Sequence, residues 1–146
     1  MEKDEILREL ILQILRTRMS FRQALQKALK SNNPDLTFEM LQVMSRLWTR
    51  EGVSQQYLAE QTAKDKTCMT NLINNLEKKG WVVRREDTSD RRNRLIFLTP
   101  AGEALSRTVQ PVIREFYRSV AGKADERELA LCTETLKRIE DLMNAL

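Results

Sequence analysis

Residues 36–105 read LTFEMLQVMSRLWTREGVSQQYLAEQTAKDKTCMTNLINNLEKKGWVVRREDTSDRRNRLIFLTPAGEAL, and a change of period inside this stretch decides the fold. Up to Gly80 the apolar residues recur at helical spacing. Phe38, Leu41, Met44, Leu47 and Trp48 follow a capping Thr37, and Tyr57, Leu58 and Ala59 follow Ser54. Met69, Leu72, Ile73 and Leu76 follow a helix start at Asp65 or Lys66. The first of these helices stops near Gly52 and the last at Gly80. Beyond Gly80 the pattern turns strand-like: Trp81, Val82 and Val83, then a charged polar stretch, then Leu95, Ile96, Phe97 and Leu98. Three helices, the last two short and joined tightly around Thr62 to Asp65, followed by a β-hairpin, are ordered as in a winged helix-turn-helix. The expected fold class is therefore mainly α with a small β-hairpin wing.

Working outward, Ile6, Leu7, Leu10, Ile11, Ile14 and Leu15, then Ala24, Leu25, Ala28 and Leu29, predict a long helix over about residues 3–30. Ser31, Asn32, Asn33 and Pro34 end it as a turn cluster. On the other side, Thr99 before Pro100 reads as an N-cap with proline at the first helical position. The helix so opened carries Leu105, Val109, Val112, Phe116 and Val120, and Pro111 inside it predicts a kink or a weakened turn. After Gly122, Asp125 with Glu128 resembles a capping box. The last helix bears a seam at Leu129, Cys132, Leu136, Ile139, Met143 and Leu146, spaced to pack along a partner helix.

The chain's 146 residues suit a single domain. With no apolar run near the roughly 20 residues that cross a bilayer, and a charged start in place of a signal peptide, a cytoplasmic protein is expected. The chain has no histidine, which removes the commonest general base and the commonest transition-metal ligand; no metal or cofactor is expected, and no enzyme motif is present. Cys68 and Cys132 have no CxxC spacing and are expected to be reduced thiols. The net charge is +4, and its placement is informative. Lys78, Lys79, Arg84, Arg85, Arg91, Arg92 and Arg94 face three acids, Glu86, Asp87 and Asp90, so this 17-residue stretch holds a charge equal to that of the whole chain. Such concentration points to a polyanion.

On the helix from Asp65 to Lys79 the apolar residues fall within about 100° of arc, leaving Thr67, Asn71, Asn74 and Lys78 on the opposite face. That face is polar and almost uncharged until its end. Asn can pair bidentately with adenine and Thr can meet a thymine methyl, which suits a helix reading base edges of double-stranded DNA.

The stretch from Leu36 to Leu105 closely resembles the multiple-antibiotic-resistance regulator (MarR) family of bacterial transcription factors. The carrying motifs are Gln56-Tyr57-Leu58-Ala59, Asp65-Lys66-Thr67, Leu76-Glu77-Lys78-Lys79-Gly80, Asp90-Arg91-Arg92 and Leu98-Thr99-Pro100-Ala101-Gly102. The resemblance implies a homodimeric transcriptional regulator, most often a repressor, acting on a pseudo-palindromic operator. Residues 36–100 would be its winged DNA-binding region, with the helix-turn-helix at about 54–78 and the wing at about 82–98; the helices of 1–30 and 101–146 would make the dimer. DNA contacts would come from Ser54, Gln55, Lys66, Thr67, Cys68, Thr70, Asn71, Asn74 and Lys78. In the wing, Arg92 held by Asp90 would enter the minor groove, while Arg84, Arg85, Arg91 and Arg94 would meet phosphates or orient the wing. The family often has arginine where Asn71 stands, so an adenine preference is expected here instead of a guanine contact.

Many members of the family are released from DNA by small aromatic compounds. The corresponding lining here would be Met19, Phe21, Met40, Met44, Trp48 and Tyr117, residues that serve equally as ordinary packing. Thiol sensing is disfavoured, because the first helix has no cysteine and only Lys66 and a helix N-terminus stand near Cys68. The alternative of a protein-binding winged helix gives no reason for the Asp90-Arg91-Arg92 cluster.

Overall fold

The computed structural model describes residues 1–31 and 35–146 in two compact units, Met1–Val112 and Ile113–Leu146. Asn32, Asn33 and Pro34 of the expected turn lie outside the described residues. The first unit opens with α1 (Lys3–Lys30), whose start is closed by the Glu5 carboxylate accepting from the Glu2 N–H at 3.1 Å. Next come α2 (Phe38–Thr49), with the Thr37 hydroxyl accepting from Met40 N–H, a two-residue strand β1 (Val53–Ser54), and the helices α3 (Gln55–Gln61) and α4 (Lys66–Lys78). Strands β2 (Val82–Glu86) and β3 (Arg94–Leu98) then lead into α5 (Pro100–Ala121).

The wing is a three-stranded antiparallel sheet in the order β1-β3-β2, with Val53 opposite Ile96 and Val82 opposite Leu98. The sequence predicts only the β2–β3 hairpin. A strand of two residues is too short to display a period of two, and only the arrival of β3 beside it makes it a strand.

The core gathers Leu41, Val43, Met44 and Leu47 of α2, Leu58 of α3, Met69, Ile73 and Leu76 of α4, Val82 and Ile96 of the sheet, and Leu105 and Val109 of α5. No polar side chain among the described residues is buried with them. Arg22 of α1 and Glu39 of α2 form an ion pair at 2.8 Å beside the edge-to-face contact of Phe21 and Phe38. Burial raises the Glu39 carboxyl's pKa, but the hydrogen bond and charge of Arg22 outweigh it and the net shift is downward.

The start of α5 is fixed from three sides. Thr99 Oγ1 accepts from Gly102 N–H at 3.1 Å and its hydroxyl donates to the Gly80 carbonyl, while Trp48 Nε1 donates to the Gly102 carbonyl at 3.0 Å. Pro111, where a kink or weakened turn is expected, lies inside α5, which continues past it as one helix. Pro111 and Arg107 both lie on an exposed face, so the Arg107 carbonyl deprived of its partner can be satisfied by water.

The second unit holds the end of α5 and α6 (Glu126–Asn144). Asp125 caps α6 through Arg127 N–H at 2.8 Å, so the carboxylate serves the second helical residue and not Glu128 as the expected box would have it. Phe116 and Tyr117 meet edge to face. No residue of α6 is buried, and its seam stands exposed or half-exposed. No helix among the described residues is long and apolar enough to cross a membrane.

Candidate nucleic-acid interface

The turn between α3 and α4 is built from caps. Ser54 Oγ accepts from Tyr57 N–H at 3.0 Å to start α3, and Asp65 Oδ1 accepts from Cys68 N–H at 2.7 Å to start α4. Between them α3 ends in a Schellman pair, Lys64 N–H to Ala59 carbonyl and Ala63 N–H to Glu60 carbonyl. Ala63 adopts φ of +53° there, a left-handed conformation usually left to glycine. The Gln55 amide donates to Thr70 Oγ1 at 2.6 Å, and the Thr70 hydroxyl donates back to the Lys66 carbonyl. Gln55 and Thr70 are thus occupied in joining the two helices, and Ser54 in capping α3.

With Met69, Leu72, Ile73 and Leu76 turned inward, α4 exposes Lys66, Thr67, Asn71 and Lys78. Cys68, Thr70 and Asn74 are half-buried. Asn71 is exposed, and among the described residues no hydrogen bond engages its amide.

The wing tip folds on its own carboxylates. Asp87 Oδ1 accepts from the Ser89 N–H at 2.9 Å and hydroxyl at 2.6 Å, and Asp90 Oδ1 accepts from Arg92 N–H at 3.1 Å. Asp90 therefore holds the backbone of Arg92. Arg91, Arg92 and Arg94 are exposed, and among the described residues no ion pair engages them. The Ser89 hydrogen bonds, side chain first and then backbone, lower the Asp87 pKa. Because the folded value is depressed, the order that Asp87 gives the turn is complete above the ordinary carboxylate range and disappears as pH falls through the depressed value. The Ser89 amide resonance is expected to titrate with a midpoint below that of a free aspartate and to stop titrating in Asp87→Asn. A midpoint at or above the free value would show that the turn does not favour the charged form.

Two wing arginines are not free. Arg85 lies over the Phe97 ring at 4.9 Å, and Arg84 turns toward α4, bonding Glu77 at 3.0 Å and Asn74 at 2.7 Å. Between α3, the start of α4 and the wing lies a cleft of about 760 Å³ whose lining includes Gln55, Gln56, Lys64, Lys66, Arg92 and Arg94. Lys64 is the cation the sequence reading missed. It follows the left-handed Ala63, where no apolar period marks its direction.

The six residues considered for a ligand are scattered in role. Met40 and Met44 are buried in the core, in keeping with ordinary packing. Phe21 packs on Phe38, Trp48 is tied to Gly102, and Met19 and Tyr117 are 61% and 53% exposed. None of them lines the cleft.

Two capped helices joined by a tight turn, followed by a cationic antiparallel wing, define a winged helix-turn-helix DNA-binding module. Residues 36–93 match the family model described as "MarR family". Transcriptional regulator HosA of Escherichia coli is 30% identical over 98 residues, 66% of this chain and 73% of that protein. Among solved structures, CouR from Rhodococcus jostii RHA1 bound to p-coumaroyl-CoA shares 27% identity and a TM-score of 0.75, covering 86% of this chain and 87% of that one. Reduced AbfR bound to DNA, a protein of Staphylococcus epidermidis, shares the fold at a TM-score of 0.75 and 20% identity, covering 97% and 95%. The chain belongs to the MarR family, and it is a transcriptional regulator.

Proposed function

We propose that this protein acts as a homodimeric, sequence-specific repressor on a pseudo-palindromic operator. In this reading residues 36–100 bind DNA, and the helices of 1–30 and 101–146 join two copies. The observation that carries it is the pairing of a neutral polar α4 face, Thr67 and Asn71 outward, with a wing whose Arg91, Arg92 and Arg94 lack acidic partners among the described residues. Lys66, Lys78 and the wing cations would meet phosphates, and Arg92 the minor groove. Dimerisation is supported by two uncovered apolar faces, each considered by itself. Ile6, Leu7, Leu12, Leu15 and Met19 are exposed on α1, as are Leu129, Leu131, Leu142 and Met143 on α6. Two copies would place two α4 helices on half-sites one helical turn apart.

Release by a small aromatic effector is part of the same proposal, supported by the p-coumaroyl-CoA held by CouR. Linkage requires such a compound to weaken DNA binding by the factor by which DNA weakens its own binding.

Selection of bound duplexes from a random pool tests the base-reading assignment. Wild-type protein is expected to yield a motif of two half-sites, and Asn71→Ala to relax one base pair per half-site by about 1–3 kcal/mol. An unchanged motif in Asn71→Ala would remove this residue from base reading.

A further inference from the structure

On β2, Arg84 shares the face of Val82, two residues before it, and Val82 is core. Its side chain is accordingly only 14% exposed, and it meets α4 where Asn74 and Glu77, three residues apart, lie on one side of the helix. Nη1 donates to Glu77 Oε1 at 3.0 Å, and Nη2 donates to Asn74 Oδ1 at 2.7 Å. The guanidinium has donors only, so the Asn74 atom facing it must be the carbonyl oxygen. The amide orientation is thereby fixed by chemistry: the oxygen points to Arg84, and the NH₂ is left to the other side.

We propose that Arg84 is a positioning residue for base recognition, which makes Asn74 a one-way reader presenting N–H donors to the major groove. This rests on the reading of α4 as the recognition helix. A freely rotating asparagine can offer donor and acceptor together and so matches adenine bidentately. Held by Arg84, Asn74 instead selects a keto base, the O6 of guanine or the O4 of thymine. Asn71, whose amide is unrestrained, keeps the adenine pairing. One helix thus reads two positions with the same residue type and opposite preferences, and the difference originates in the wing.

The test uses full-length protein and duplex selection, with salt titrations on the selected duplex. Asn74→Ala identifies the base pair that Asn74 reads. The double variant Arg84→Met with Glu77→Gln removes the ion pair without changing net charge. It is expected to lower discrimination at that same base pair by roughly tenfold, the worth of one good hydrogen bond. It should leave the position read by Asn71 and the salt slope unchanged. Adding Asn74→Ala to it should cost nothing further at that base pair. Asn74→Asp keeps an acceptor for Arg84, so the fold is retained, while the group facing the groove becomes an acceptor. Its preference is expected to move from a keto base to the amino bases cytosine or adenine.

A slope reduced by about one per half-site in the double variant would make Arg84 a phosphate contact and overturn the proposal. Relaxation at a different base pair, or an Asn74→Asp protein that still selects a keto base, would overturn it as well. If the wild-type protein selects no motif at all, the reading of α4 fails first, an outcome distinct from either of these.

Discussion

Replacing Gly102 by alanine is expected to lower the melting temperature by about 6–12 °C, the equivalent of about 3 kcal/mol in a chain of this size. A methyl group at this position would overlap the Trp81 carbonyl oxygen and press on Leu98 Cδ2 at 3.4 Å. The oxygen cannot retreat easily, because Trp81 O accepts from Thr99 N–H at 3.1 Å and so joins β2 to the start of α5. The sign is diagnostic, since glycine to alanine within a helix otherwise stabilises by about 1 kcal/mol. Thermal or urea unfolding measures the change. Unaltered stability would mean that α5 shifts away from β2 without loss, and the Trp48 bond to the Gly102 carbonyl should then be broken, with an altered tryptophan emission.

DNA affinity is expected to fall by about a thousandfold between 50 and 200 mM salt. Each wing presents Arg91, Arg92 and Arg94 without acidic partners among the described residues, and two wings in a dimer offer six such cations. With Arg91 and Arg94 of each wing at phosphates and Arg92 in the minor groove, six cations displace enough counterions for a loss of that size. Arg92→Ala should weaken binding to every duplex and reduce the slope, while Asn71→Ala alters sequence preference and leaves the slope alone. Gel-shift titrations over a salt series separate the two. Affinity indifferent to salt would exclude the wing as the electrostatic contact.

The helices and their ends are legible in the chain because the signals are local. Thr37, Ser54 and Thr99 each cap the helix that their positions predict, α4 begins at Lys66, one of the two expected starts, with Asp65 as its cap, and Gly80 takes φ of +76° just past the end of α4. Signals that depend on a distant partner are not legible. Strand β1 exists because Gly52 N–H reaches the Ile96 carbonyl at 2.8 Å, 44 positions along the chain. Asp125 caps α6 where its position predicts, yet which N–H its carboxylate takes is a matter of local geometry that spacing does not resolve.

The site divides in the same way. The charge of the Lys78–Arg94 segment, the polar face of α4 and the order of helices and wing are properties of the sequence, because composition and period survive without knowledge of neighbours. The division of labour among the arginines is not. Arg84, Arg91, Arg92 and Arg94 are chemically identical, and their fates are set by which face of a strand or turn carries them and by what lies opposite. Arg84 falls on the core side of β2 against Glu77 and Asn74, whereas Arg91, Arg92 and Arg94 are exposed. Sequence by itself determined that this protein carries a cationic winged helix-turn-helix. Tertiary structure decided which cations are free to meet a phosphate and which is held against α4, because a guanidinium without full hydration needs an acceptor within about 3 Å, and only the fold brings one there.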